Sequence, residues 1–159
     1  MHFAFRLVEN GQRGIKDIKI DDVEGLYFQL PNMHANFQAF PELVFIDTSV
    51  KQKCRGLEDF DDGAELFLVV ISGLNNEGQN IIFGCGILKE LTREALCWLL
   101  DNFRKSNCSS FEHAIALERD ITTLEDEIVD PEVIISDCSE PVNTAVEVVF
   151  THKTSHLYC

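Results

Sequence analysis

PELVFID (41–47) and PEVIISD (131–137) share one form: Pro-Glu, four mainly apolar residues, then an aspartate. Short, nearly unbroken apolar runs of this kind read as strands buried on both faces, as in the centre of a sheet. If the two lie side by side and parallel, Asp47 and Asp137 emerge at the same sheet edge. Ligand sites of open α/β sheets lie outside the carboxyl ends of strands. The two acids are therefore the first candidates for a site, because carboxylate oxygens are what a hard cation such as Mg²⁺ requires.

The sequence around these strands supports a layered α/β chain. FAFRLV (3–8) and VEGLYFQL (23–30), separated by turn formers, predict an N-terminal hairpin. Asn32 is a candidate cap for a short helix reaching Phe40, with Phe37 and Phe40 on one face. ELFLVVISGL (65–74), the turn NNEG (75–78) and QNIIFGCGI (79–87) form the clearest hairpin in the chain. Thr92 caps an amphipathic helix in which Leu96, Leu99, Leu100 and Phe103 share a face. Ser139 starts a further helix with Pro141 in its first turn, and HLYC (156–159) opens one more strand. The order predicts a mixed sheet, since a hairpin pairs antiparallel and a helical crossover favours parallel pairing. Residues 1–40 read as a hairpin and short helix leading into a core at 41–159.

Composition narrows the function. The net charge is −14, and within residues 107–140 ten acids against one arginine leave −9. Such a surface repels a phosphate backbone, so the chain alone is expected to hold DNA weakly. The acid run itself reads as a solvated helix or loop, as does GLEDFDDG (56–63) as a polar loop. The longest aliphatic or aromatic run, Leu66–Ile71, is far short of a membrane span. The N-terminus lacks the apolar run of a secretory leader, and six cysteines without a C-x-x-C pair suggest reduced thiols. A nuclear or cytoplasmic protein is the expectation.

Three readings of the aspartates compete. Two divalent ions about 3.5–4 Å apart can activate a nucleophile and stabilise a leaving oxygen in phosphodiester chemistry. A single strand-end aspartate can be a phosphoacceptor, as in signalling receivers, but that fold alternates strand and helix throughout, and here a hairpin follows Asp47. Lastly, strand-end aspartates often cap the next turn or helix.

An ordered set of motifs over residues 26–159 resembles the catalytic domain of Mutator-like element (MULE) transposases. LYFQLPNMHANFQAFPELVFIDTSVKQK (26–53) is similar to the family's aromatic-rich entry and its strand ending Asp-Gly-Thr-Tyr/Phe-Lys-Thr-Asn. Phe67–Leu74, Asn75–Gly78 and Ile81–Leu88 follow in the family's strand–turn–strand order, and Trp98 stands in the helix that carries the family's tryptophan. Ile134-Ile135-Ser136-Asp137 with Ala145-Val146 and Val149-Phe150 resembles the second strand–Asp–helix unit, and His156-Leu157-Tyr158-Cys159 the family's His-x-x-Cys.

The resemblance implies an RNase H-like mixed sheet with flanking helices, C-terminally truncated. It implies a DDE-type site that cuts and joins DNA with Mg²⁺ or Mn²⁺, with Asp47 and Asp137 as catalytic and metal-binding acids. His156 and Cys159 become candidates for a zinc-type motif, to which His152 lends no complete ligand set. Thr48 replaces the family's glycine, Val50 its aromatic residue, and Cys138 the glycine after the second acid. The family's third acid lies downstream, and Glu140 and Glu147 are poor substitutes by position, so this chain is expected to be inactive alone. The alternative is a domesticated, DNA-associated regulatory or binding module without catalysis; a homo-oligomer is compatible with either.

Other residues invite sharper readings. Lys51 and Lys53 are placed to meet a phosphate near Asp47, although strand-end lysines are commonly solvated. Trp98 at helical spacing reads as core. Gly84-Cys85-Gly86 reads as a strand with close backbone approach, since no helix start follows it.

Overall fold

The computed structural model describes residues 3–7, 25–53, 65–107, 129–150 and 154–158. Its elements are β1 (Phe3–Leu7), β2 (Gly25–Gln29), α1 (Pro31–Ala39), β3 (Leu43–Lys53), β4 (Glu65–Leu74) and β5 (Asn80–Leu88). After these come α2 (Arg93–Ser106), β6 (Val133–Ser136), α3 (Glu140–Val149) and β7 (Ser155–Tyr158). The strands form one mixed sheet in the order β1-β2-β5-β4-β3-β6-β7.

β3 is central, antiparallel to β4 and parallel to β6. The parallel register, Leu43↔Val133 through Ile46↔Ser136, aligns the two PE…D stretches residue for residue. Expected burial on both faces of β3 gives way to alternation: Val44, Ile46 and Thr48 are buried, whereas Leu43 and Phe45 are half-buried. Nor does β3 stop at Asp47. It runs on to Lys53 against β4, with a register shift between Asp47 and Val50 that marks a bulge. Only the parallel ladder ends at the aspartate.

The hairpin 65–88 forms as expected. Gly78 closes its turn at φ 75°, a conformation few side chains tolerate, and Asn75 Oδ1 accepts the amides of Glu77 and Gln79. The expected N-terminal hairpin does not form: β1 and β2 pair in parallel, and β2 pairs with β5. A hairpin turn can join only antiparallel neighbours, and residues 8–24 are long enough for the return that a parallel pair requires. Residues 25–40 thus belong to the same sheet and core as the rest.

α1 begins at Pro31, whose fixed φ and missing N–H suit a first helical position, so Asn32 lies inside the first turn instead of capping it. Phe37, 1% exposed, sets its ring edge-on to Phe83 of β5 and Phe103 of α2, at centroid distances of 5.3 and 5.1 Å. Edge-on pairs of this kind add about 0.5–1.5 kcal/mol each beyond burial. Thr92 Oγ1 accepts the Ala95 amide at 3.2 Å, capping α2. Leu96, Leu99, Leu100 and Phe103 are all buried, and Trp98 is partly buried against the same core. α2 comes so close to β5 that a Cβ on Gly86 would lie 1.9 Å from Leu99 Cδ1. That is the close approach expected of Gly84-Cys85-Gly86. α3 packs on α2 and joins β6 to β7, a parallel pair.

At the far end of α2, Arg104 grips Asp130 through two parallel bonds of 2.6 and 2.9 Å, anchoring the return toward β6. The acidic run of 108–128 and the loop 54–64 lie outside the described residues. No helix among those described is long and apolar enough to cross a membrane.

Candidate functional site

β3 and β6 bring the two aspartates to one place. The parallel ladder ends at Ile46↔Ser136, so Asp47 and Asp137 each follow its last pair, Asp47 within β3 and Asp137 just past the end of β6, on strands spaced about 4.7–4.9 Å apart.

Their carboxylates meet different partners. Asp137 Oδ2 accepts the Thr48 hydroxyl at 2.7 Å, and Asp137 Oδ1 accepts the Ser139 amide at 3.1 Å, one residue before α3. Burial raises the Asp137 pKa, but the bonds from Thr48 and Ser139 outweigh it and hold the carboxyl below the ordinary aspartate value. Asp47 is exposed. Its Oδ1 accepts both the amide of Ser49, at 2.8 Å, and the Ser49 hydroxyl, at 2.6 Å, closing an Asx turn at the bulge. The capping geometry is therefore present at both acids.

Behind Asp137, the buried Ser136 hydroxyl lies 2.8 Å from His156 Nε2 and donates to the Asp137 carbonyl at 3.1 Å. Burial lowers the His156 pKa, and the Glu147 carboxylate partly opposes it. His156 stands opposite Ile134 in the β6–β7 pair and reaches Ser136 diagonally with its ring; Cys159 and His152, its expected companions in a zinc-type motif, lie outside the described residues. Lys51 sets its ammonium 5.1 Å over the Phe67 ring, a cation–π contact, while the Lys53 side chain lies outside the description. Glu140 and Glu147 are exposed on α3. Of the cysteines described, Cys85 is buried, Cys97 half-buried and Cys138, beside Asp137, exposed; all three are free thiols.

Sequence reasoning missed one residue here. Thr48 is 4% exposed and is the only side chain among the described residues that donates to Asp137 from another strand. Its signal was the buried alternation Val44, Ile46, Thr48, which makes a polar residue at the third position demand a partner.

A seat for Mg²⁺ or Mn²⁺ would draw on the oxygens of these two carboxylates. Both Asp137 oxygens and Asp47 Oδ1 already accept protein hydrogens. Among the described residues no group of three or more His, Cys, Asp or Glu side chains is placed to hold a metal ion. Two carboxylates engaged in this way do not by themselves complete an ion site among the described residues.

A mixed sheet with a central long strand antiparallel to its hairpin partner, and parallel to a later strand ending in an acid, is an RNase H-like fold. The family model described as zinc finger SWIM domain-containing protein 1/3, RNaseH-like domain, matches residues 8–125, and the chain belongs to that family. The matched stretch includes Asp47 and Thr48 and ends before Asp137. No curated protein is significantly similar to the chain.

Proposed function

We propose that this chain is a transposase-derived RNase H-like module that serves as a non-catalytic binding or regulatory domain associated with DNA in the nucleus. One observation carries the reading. The two acids that two-metal DNA chemistry would need each follow the last pair of the β3–β6 ladder, yet both oxygens of Asp137 already accept a protein hydrogen, from Thr48 and from Ser139. The placement supports descent from a DNA-cutting ancestor of the Mutator-like kind, and the bonding supports loss of the chemistry. The charge of −14 supports weak duplex binding by this segment alone, with any firm grip supplied by other parts of a longer protein.

The test is nicking of a labelled duplex by the purified chain in Mg²⁺ or Mn²⁺, with Asp47→Asn and Asp137→Asn beside it. No cleavage by any of the three is the expected result. Cleavage by the wild type that disappears in either mutant would establish the alternative, a two-metal transposase site completed by an acid elsewhere.

A further inference from the structure

We infer that Thr48 makes the aspartate pair a hydrogen-bonded clasp between β3 and β6, so that Asp137 works as a structural acceptor and not as a cation ligand. The inference deepens the non-catalytic reading above and rests on it. Thr48 shares the buried side of β3 with Val44 and Ile46. Alternation along a strand then turns the exposed Asp47 to the opposite side. Asp137 follows Thr48: its Oδ2 takes the buried hydroxyl, so the two carboxylates address opposite sides of β3 instead of a shared ion.

The clasp has three attachments. Thr48 ties Asp137 to β3 just where the parallel ladder ends at Ile46↔Ser136. The Ser139 amide ties it to the entry of α3, whose cap residue Ser139 makes no side-chain capping bond of its own. Asp137 instead holds the cap residue itself, by accepting its amide from two residues upstream. Ser136, bonded to the Asp137 carbonyl and to His156, fixes the same residue from the β7 side. One carboxylate thus joins two strands and a helix start at the point where backbone pairing runs out.

A clasp and a cation site respond oppositely to the same changes. In a cation site the two carboxylates repel when metal-free, so removing one stabilises the apo protein, whereas removing a clasp destabilises it. The experiment is urea unfolding of the full chain as wild type, Thr48→Val, Thr48→Ser and Asp137→Ala, with and without MnCl₂, together with the electron spin resonance signal of free Mn²⁺ during titration. Valine keeps threonine's shape and removes the donor; serine keeps the donor.

The expected result is a folding equilibrium constant about tenfold lower in Thr48→Val, as for loss of one hydrogen bond to a charged acceptor, with most of it restored in Thr48→Ser. Asp137→Ala should lose at least as much, and Mn²⁺ should neither bind to nor stabilise the wild type. An Asp137→Ala protein more stable than wild type, or Mn²⁺ stabilisation of the wild type that Asp137→Ala abolishes, overturns the clasp. Where Asp137→Ala fails to fold, the same Mn²⁺ comparison on Asp137→Asn takes its place. A neutral Thr48→Val in a chain that cuts no DNA sinks the clasp and leaves the non-catalytic reading standing; DNA cleavage sinks that reading itself.

Discussion

Gly86→Ala puts the packing of α2 on the sheet to a direct test. The added methyl would sit 1.9 Å from Leu99 Cδ1 and 3.0 Å from Leu99 Cγ, with the Leu26 carbonyl oxygen 3.6 Å away. Carbon atoms in contact settle about 3.5–4.0 Å apart, so strand and helix, or the leucine alone, must yield by roughly 1.5–2 Å. Leu99 is fully buried among Leu96, Leu100 and Phe103 and has no open side to turn to. Overpacking of this kind costs about 1–3 kcal/mol. Replacing a strand glycine recovers about 0.5–1 kcal/mol of backbone entropy, which leaves an expected net loss of about 1–2 kcal/mol. Leu99→Ala alone should lose about 2–5 kcal/mol through the cavity it opens. The methyl added at position 86 would occupy part of that cavity, so the double mutant should be more stable than the two losses summed, by about 1 kcal/mol or more. Urea unfolding of the four proteins measures the cycle. A Gly86→Ala protein within about 0.5 kcal/mol of wild type, or strict additivity in the double mutant, would refute the close approach.

Gln29→Leu should cost about 1–3 kcal/mol in the same assay, because the fully buried Gln29 amide donates to the Phe83 carbonyl and to Asn107 Oδ1, and both would lose their donor. Arg104→Met should cost only about 1 kcal/mol, since its two-pronged bond to Asp130 is partly exposed. Stability should fall in two steps on acidification, followed by urea midpoints across pH. The His156 pKa is lowered in the fold, so its contribution is complete above about pH 6.5, the unfolded value, and is lost as pH falls toward the folded value; His156→Gln should remove this shoulder. The Asp137 pKa is also lowered, so its contribution holds above about pH 3.9 and disappears as pH falls through the folded value; Asp137→Ala should flatten that step. Duplex binding by the chain, measured by fluorescence anisotropy, should be weak and fall steeply with salt, and tight salt-insensitive binding would contradict the role given to its charge.

Much of the sheet was legible because its signals are local. The hairpin 65–88 announces itself by apolar runs around Asn75–Gly78, and α2 by Thr92 and its leucine stripe. The parallel match of β3 with β6 was legible for another reason: two apolar stretches of one form, with a hairpin and a helix between them, favour a parallel return to the same sheet. β1 and β2 misled because two strands with a turn-rich link satisfy the hairpin pattern whichever way they pair, and only the docking of β2 on β5 decides. The length of β3 was hidden by Asp47, which is depleted in strands and here is held in one by a bulge and by Ser49. The positions of Asp47 and Asp137 were foreseeable from register. Their partners were not, because a hydroxyl on one strand meeting a carboxylate on another depends on which faces they share.

That distinction decides how the paired acids should be read. Even two carboxylates brought to about 5–6 Å would repel by only roughly 1–3 kcal/mol at effective dielectric constants between 20 and 80. A metal ion is one way to offset such repulsion, and its loss would normally leave the pair as a weakness for evolution to remove. Here four protein hydrogens point at the pair: the amide and hydroxyl of Ser49, the amide of Ser139 and the hydroxyl of Thr48. Each hydrogen bond to a charged acceptor contributes about 1.5–3 kcal/mol, the exposed ones at Asp47 least. Their sum exceeds the repulsion without any cation. The acids are therefore stable residents of the strand ends on structural grounds alone, and their presence does not require that the chain itself cut DNA. Thr48 is the discriminating residue: its hydroxyl gives Asp137 a structural partner on β3 whether or not a cation is present.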